Sequence, residues 1–205
     1  TDGDGVSVEI VNNDDEFSAG LMEVHVGDVT MNGSDSASLV IADNDGETDR
    51  FDTPIVPVVG VQIDIGDVNI DLSSGSITDS VAASLSTIFN DGAHIVMGDV
   101  NVSMGNSDGG SYGSFTDGIV ENDESVIVRG DTTVTIGGSD ESAGYSNSYI
   151  QGNDDSEITL GDYSVTVGAN ASDGDGGYGR LDVWISENLD SEITMGAVTL
   201  DSLGG

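Results

Sequence analysis

A segment of this chain returns three times with its register intact, and this limits what the chain can fold into. Ile119-Val-Glu-Asn122-Asp-Glu-Ser125-Val-Ile127-Val-Arg-Gly130, Ile150-Gln-Gly-Asn153-Asp-Asp-Ser156-Glu-Ile158-Thr-Leu-Gly161 and Ile185-Ser-Glu-Asn188-Leu-Asp-Ser191-Glu-Ile193-Thr-Met-Gly196 align without a gap. Weaker copies lie upstream at Val24-His-Val26-Gly27-Asp28, Ile63-Asp-Ile65-Gly66-Asp67 and Ile88-Phe-Asn90 leading to Gly98-Asp99. The repeated Gly stands at 27, 66, 98, 130, 161 and 196, a spacing of 31 to 39 residues. Self-similarity at such a period marks stacked units, each with an apolar face that only its neighbours cover. The expectation is one domain over residues 1–205, built of about six repeats.

Within the repeats, β-branched and apolar residues alternate with small polar ones. Val6-Ser-Val8-Glu-Ile10, Val61-Gln-Ile63-Asp-Ile65, Val68-Asn-Ile70-Asp-Leu72, Val100-Asn-Val102-Ser-Met104 and Val165-Thr-Val167 read as strands. A strand, a Gly-Asp corner and a second strand fill each unit, and a third strand precedes the Asn. The Gly is expected to adopt a left-handed or bulged conformation at the corner. Three strands per repeat predict an all-β fold resembling a β-solenoid, with an antiparallel sandwich as the alternative. One short helix is expected at 77–89. There Ser76-Ile-Thr-Asp79 resembles a capping box, and Ile77, Val81, Leu85, Ile88 and Phe89 follow at helical spacing.

Charge narrows the partners. The formal net charge is −36, from 39 acidic residues against Arg50, Arg129 and Arg180, with no Lys. Nucleic acid and anionic membrane would both be repelled, and the folded chain needs cations or salt to screen its own field. An apolar content of 36%, concentrated in alternating runs, argues against disorder. Cysteine is absent, so disulfides and thiolate metal sites are not expected. No run of 18 apolar residues occurs, so membrane insertion is not expected. Thr1 in place of Met suits a processed secreted chain.

Asp-x-Asp-Gly occurs at Asp2-Gly-Asp4-Gly5, Asp43-Asn-Asp45-Gly46 and Asp173-Gly-Asp175-Gly176, with Asp49 close to the second copy. Hard cations such as Ca²⁺ favour several oxygen ligands on a Gly-containing loop, which makes Asp2, Asp4, Asp43, Asp45, Asp49, Asp173 and Asp175 candidate ligands. Solvated acidic turns are the alternative. Gly174-Asp-Gly-Gly-Tyr-Gly-Arg-Leu-Asp182 resembles the glycine-rich nonapeptide of calcium-binding β-roll (RTX) repeats. It is a single copy with its Asp out of register, so that family's ion site does not carry over. Asn122, Asn153 and Asn188 are expected to form an internal amide ladder, with Ser125, Ser156 and Ser191 supporting the same turn. Tyr112, Tyr145 and Tyr178, 33 residues apart, suggest an aromatic row that packs on the loops or meets a glycan or surface ligand. His25 and His94 sit at different offsets from the repeated Gly, and no phosphate-loop Lys exists. No catalytic residue is assigned, and an enzyme is not expected.

Neither end carries a recognisable cap. Val6, Val8 and Ile10 open a strand at once, Val198 and Leu200 close the last one, and Ala197 replaces the corner Asp of the other repeats. These residues are the expected assembly surfaces, since uncapped repeats polymerise. In composition and repeat style the chain resembles secreted acidic β-repeat proteins of cell surfaces, such as matrix filaments and adhesin stalks. The resemblance implies an extracellular, cation-stabilised homopolymer in a surface or biofilm matrix. A monomeric Ca²⁺-dependent adhesin module and a salt-adapted binding domain or enzyme of a halophile are the alternatives.

Overall fold

A computed structural model describes residues 5–13, 22–33, 35–45, 60–73, 80–105, 113–138, 144–168 and 180–203. Each repeat is one coil of three strands. The first coil holds β1 (Gly5–Val11), β2 (Met22–Val26) and β3 (Val29–Asn32), and the second holds β4 (Ser36–Ala42), β5 (Val61–Ile65) and β6 (Val68–Leu72). The third has β7 (Val81–Ile88), β8 (Ala93–Met97) and β9 (Val100–Met104), and the fourth β10 (Gly113–Val120), β11 (Val126–Arg129) and β12 (Thr132–Ile136). The fifth has β13 (Tyr145–Gln151), β14 (Glu157–Leu160) and β15 (Tyr163–Val167), and the sixth β16 (Arg180–Ser186), β17 (Glu192–Met195) and β18 (Val198–Ser202).

Corresponding strands of successive coils pair in parallel. They form three six-stranded sheets, ordered β1-β4-β7-β10-β13-β16, β2-β5-β8-β11-β14-β17 and β3-β6-β9-β12-β15-β18. Since every pairing is parallel, this is a β-solenoid and not an antiparallel sandwich. Period-two alternation sends one residue of each pair into the solenoid, where in-register neighbours stack as files. Val68, Val100 and Thr132 make one such file, and Ile63, Ile95, Ile127 and Ile158 another, all buried.

Residues 81–88, expected to be helical, are the strand β7, paired between β4 and β10. Val81, Ala83 and Leu85 point inward and are buried. Val81 and Leu85 are four apart, a spacing that suits both one helical turn and two strand repeats, and the open slot in the parallel sheet decides between them. No helix occurs among the described residues, so none there is long and apolar enough to cross a membrane.

One coil interrupts the apolar files. The inward row Val8, Leu39, Leu85, Asp117, Ser148, Val183 of the first sheet carries an acid in the fourth coil. The row Val26, Ile65, Met97, Arg129, Leu160, Met195 of the second sheet carries an arginine in that same coil. The two meet across the interior. Arg129 Nη1 and Nη2 each donate to one Asp117 carboxylate oxygen at 2.7 Å. Both side chains are almost wholly buried. Ser148 Oγ donates to Asp117 Oδ2 at 3.3 Å. Burial opposes the guanidinium's charge, but the Asp117 charge and hydrogen bonds raise its pKa overall. Beside the pair, Tyr163 is buried and its phenol is pushed up to about 12, by burial first and by the Asp117 charge second.

Candidate functional site

Two corners of each coil carry the repeated polar residues. At the first corner, an Asn turns inward between the first and second sheets. Asn122 Nδ2 donates to Asn153 Oδ1 at 2.8 Å, and the backbone N–H of Asn122 donates to the same oxygen at 3.1 Å. Asn153 repeats this with Asn188 at 2.8 and 3.1 Å. The ladder runs further than the expected trio: Asn13 donates to Asn44, Asn44 to Asn90, and Asn90 to Asn122. Each Asn from the second coil on also donates to a carbonyl of the coil before, such as Asn153 Nδ2 to Ile119 O at 3.2 Å. A parallel hydroxyl ladder links Ser125, Ser156 and Ser191, each Oγ accepting the N–H of the preceding coil.

Left-handed residues flank the Asn. Asn12, Asp43, Phe89, Glu121 and Glu187 take φ between 53 and 58°, and Gly152 takes 69° in the same slot. Glu124, Asp155 and Asp190 form a second left-handed file. The acids here repel one another, and Asp155 shows it: its pKa is raised, by its desolvation first and by Asp154, Asp190, Asp123 and Glu124 after it.

The Gly-Asp corner joins the second and third sheets. Asp28 Oδ1 accepts the N–H of Asp67 at 3.1 Å, and the motif continues from Asp67 to Asp99, Asp131 and Asp162 at 2.8–3.0 Å. Asp162 ends it by accepting from Ala197 at 2.8 Å. This explains the Gly. A Cβ on Gly66 would lie 2.8 Å from Asp28 N and 2.9 Å from the Gly27 carbonyl carbon, and closer still to Asp28 Oδ1. Gly98, Gly130, Gly161 and Gly196 meet the same obstruction. Positive φ is not involved at any of them, so the expected left-handed or bulged corner is replaced by close coil-on-coil approach.

Gly27 is the exception. Among the described residues nothing lies within 4 Å of a Cβ placed there, and no described coil precedes it. At the opposite end the sixth coil changes character. Leu189 stands where Asp45, Asp91, Asp123 and Asp154 form a bridged file, and Ala197 stands in the corner Asp file. Leu189 is 61% exposed, and Ile185, Val198, Leu200 and Leu203 are exposed with it. Leu181, Val183, Ile193 and Met195 are half-covered. On the first coil Val6, Val8, Met22, Val24 and Val26 are likewise half-covered, while Ile10 is buried. Of the expected assembly residues, then, Val6 and Val8 lie on one open end and Val198 and Leu200 on the other.

Of the expected cation ligands, Asp2, Asp4, Asp49, Asp173 and Asp175 lie outside the described residues. Asp43 and Asp45 flank the ladder residue Asn44, with Asn12, Phe89 and Asp91, around a shallow depression of about 340 Å³. No group of three or more potential metal ligands converges among the described residues. His25 lies 2.9 Å from Asp64 and 3.4 Å from Glu23 on the outer face of the second sheet. His94 sits one coil beyond Gln62 on that face. Tyr112 and Tyr178 lie outside the described residues, and the in-register neighbours of Tyr145 are Ser114 and Arg180.

Sequence reasoning missed Asn13, Asn44 and Asn90 as ladder members. From Asn to the repeated Gly is 8 residues in the last four repeats, but 14 in the first and 22 in the second. The signal that could have found the first two is the Ile three residues before each, since Ile10 and Ile41 precede Asn13 and Asn44 as Ile119 and Ile185 precede Asn122 and Asn188. Leu189 was also legible, as an apolar residue in an otherwise acidic column. Compared with protein-family models, curated proteins and solved structures, the chain matches none.

Proposed function

We propose that this chain is a non-enzymatic structural protein whose copies stack head to tail into a filament. The observation that carries the reading is Gly27. The described residues leave room for a side chain there, yet the residue is Gly, as at the five corners where a preceding coil forbids one. The sixth coil of another copy offers the matching backbone, with Gly196 and Ala197 where Gly27 and Asp28 stand beneath Gly66. The open ends are complementary in hydrogen bonding as well. Among the described residues Asn188 ends the ladder, accepting from Asn153 through Oδ1, and Asn13 begins it, donating to Asn44 through Nδ2, so the last Asn of one copy and the first of the next could continue the same donor-to-acceptor sequence. Apolar positions on both ends would be buried by the contact, at roughly 1.5–3 kcal/mol for each large side chain fully covered. Such a contact uses different surfaces on the two copies, so it propagates instead of closing. Loss of the acid at Leu189 and Ala197 removes two like charges from the junction.

A non-enzymatic role is supported by where the buried ion pair and the phenol beside it lie. Asp117, Arg129 and Tyr163 are sealed in the core instead of lining a cleft. An extracellular setting, at a cell surface or in a biofilm matrix, rests on the resemblance in composition and repeat style. Cations, Ca²⁺ among them, enter as the counter-charge that lets subunits of −36 approach. The test is light scattering with negative-stain imaging across protein concentration, in three buffers: millimolar Ca²⁺, EDTA with high NaCl, and EDTA with low salt. Filaments growing with concentration, and shrinking when both Ca²⁺ and salt are withdrawn, are expected. Filaments lost with EDTA despite high NaCl would assign a specific calcium role. A monomer at every concentration in all three buffers would refute the reading and favour the stalk-module alternative.

A further inference from the structure

Away from the ladders, the outer face of the first sheet holds two aromatic residues in register on its last two strands, β13 and β16. Outward positions of this sheet also align in files. One file runs Glu9, Val40, Ser86, Gly118, Tyr149, Trp184. Tyr149 does not stand up from the sheet. A Cβ on Gly118 would lie 2.8 Å from its Cε2 and 3.1 Å from its Cζ, so the ring leans over the neighbouring strand in space that only Gly leaves open. Trp184, the single Trp of the chain, is its in-register neighbour and is 57% exposed. Its outward direction is independent of the coil end, because the residues on either side of it, Val183 and Ile185, take the inward positions.

Polar groups border the rings on both sides. The next file carries Thr116, Asn147 and Asp182, and beyond it Tyr145 pairs with Arg180. Arg180 Nε donates to Asp182 Oδ2, which neutralises the only acid in that border. On the other side Gln151 Nε2 donates to Glu187 Oε2 at 2.8 Å. Arg180 is the only exposed arginine among the described residues, since Arg129 is buried. In a chain of −36, one strand thus carries the sole Trp and, four residues before it on the same face, a rare cation paired with Asp182.

We infer that this surface binds a neutral polysaccharide. A Tyr ring lying along the sheet with an exposed Trp in register beside it suits the apolar C–H faces of pyranose rings, and bordering amide, carboxylate and guanidinium groups suit their hydroxyls. Nucleic acid and anionic glycans would be repelled by the whole-chain charge. A cationic peptide would be drawn to the acidic corners instead. The site lies within one chain and stands whether or not copies stack.

Trp184 is its own reporter. Its emission, with titration calorimetry, is followed against cellohexaose, laminarihexaose and chitohexaose, using the full chain at a dilution where scattering shows no assembly. At least one sugar is expected to shift the emission and bind. Trp184→Ala should abolish binding, and Tyr149→Ala should weaken it roughly tenfold or more, with melting of Trp184→Ala unchanged because the ring lies outside the core. Gly118→Val, which displaces the Tyr149 ring, should weaken it in the same direction. No binding to any of the three at millimolar sugar would overturn the inference, as would binding that survives Trp184→Ala. Emission that follows protein concentration but ignores sugar would overturn it too, and would reassign the surface to lateral contact between copies.

Discussion

The carboxylate of Asp28 occupies the space where a side chain on Gly66 would begin. That carboxylate is held there by accepting the N–H of Asp67, the residue after Gly66. The repeated Gly and the repeated Asp are therefore one device. Asp caps the backbone of the next coil, and Gly in the next coil makes room for it. Gly98→Ala should destabilise the fold by roughly 1–3 kcal/mol or more, because its Cβ meets backbone atoms that cannot swing aside. Thermal melting checks this, and an unchanged melting temperature would show that the corner can yield.

Asn122 serves three coils at once. Its Oδ1 accepts from Asn90, and its Nδ2 donates to Asn153 and to the Thr87 carbonyl. Asn122→Ala should cost about 3 kcal/mol, since it leaves several buried donors and acceptors unpaired. Asn188→Ala should cost the chain less, because Asn188 is only part-buried and accepts from no coil beyond it among the described residues, and should weaken assembly instead. Equal losses of stability at the two positions would contradict the assignment of Asn188 to an open end.

The Asp117–Arg129 pair predicts a non-additive result. Either single change, Asp117→Leu or Arg129→Met, strands a buried charge and should cost about 3–5 kcal/mol. The double variant extends the apolar files of the coils before it, leaving only the Ser148 hydroxyl without its Asp117 acceptor, and should recover most of that loss. Denaturant melts of the three variants give the coupling directly. Additive losses would mean that the two charges do not depend on each other.

Tyr163 sets an alkaline limit. Its phenol is raised from 10.0 to about 12 in the folded chain, so the folded state holds this proton more tightly than the unfolded state. The resulting stability, about 3 kcal/mol, is complete below pH 10 and is lost as pH rises through about 12. Tyr163→Phe should remove this part of the alkaline decline. Identical melting curves for both proteins from pH 9 to 12 would contradict it.

Much of the architecture could be read from residue order, because stacking imposes one register on every coil. Ile158, Gly161 and Val165 fall in the same files as Ile127, Gly130 and Val134, so the alternation that marks strands in one repeat marks them in the next. The helix expected at 77–89 failed where two periods coincide, at Val81 and Leu85. The Asn ladder was read only in the three repeats whose whole segment aligns without a gap, and Asn90, in a weaker copy, was left out. Insertions after Asn13 and Asn44 hide the rest, although the chain returns to register after each. Asp43-Asn44-Asp45 shows how one string of residues supports two readings. As a loop it suggests a cation, and in the fold it is a corner whose Asn points inward and whose acids flank it. The ends are the least legible, because exposure is decided by what is absent from the next layer.

The most direct test is Gly27→Val, followed by sedimentation velocity and imaging beside the wild-type chain. Within one chain the new side chain enters open space, so melting of the dilute protein should stay close to wild type. Between chains it would strike the Gly196–Ala197 backbone of the neighbour, and filaments should be lost. Gly27→Val filaments as long and as numerous as wild type would contradict stacking of the sixth coil on the first.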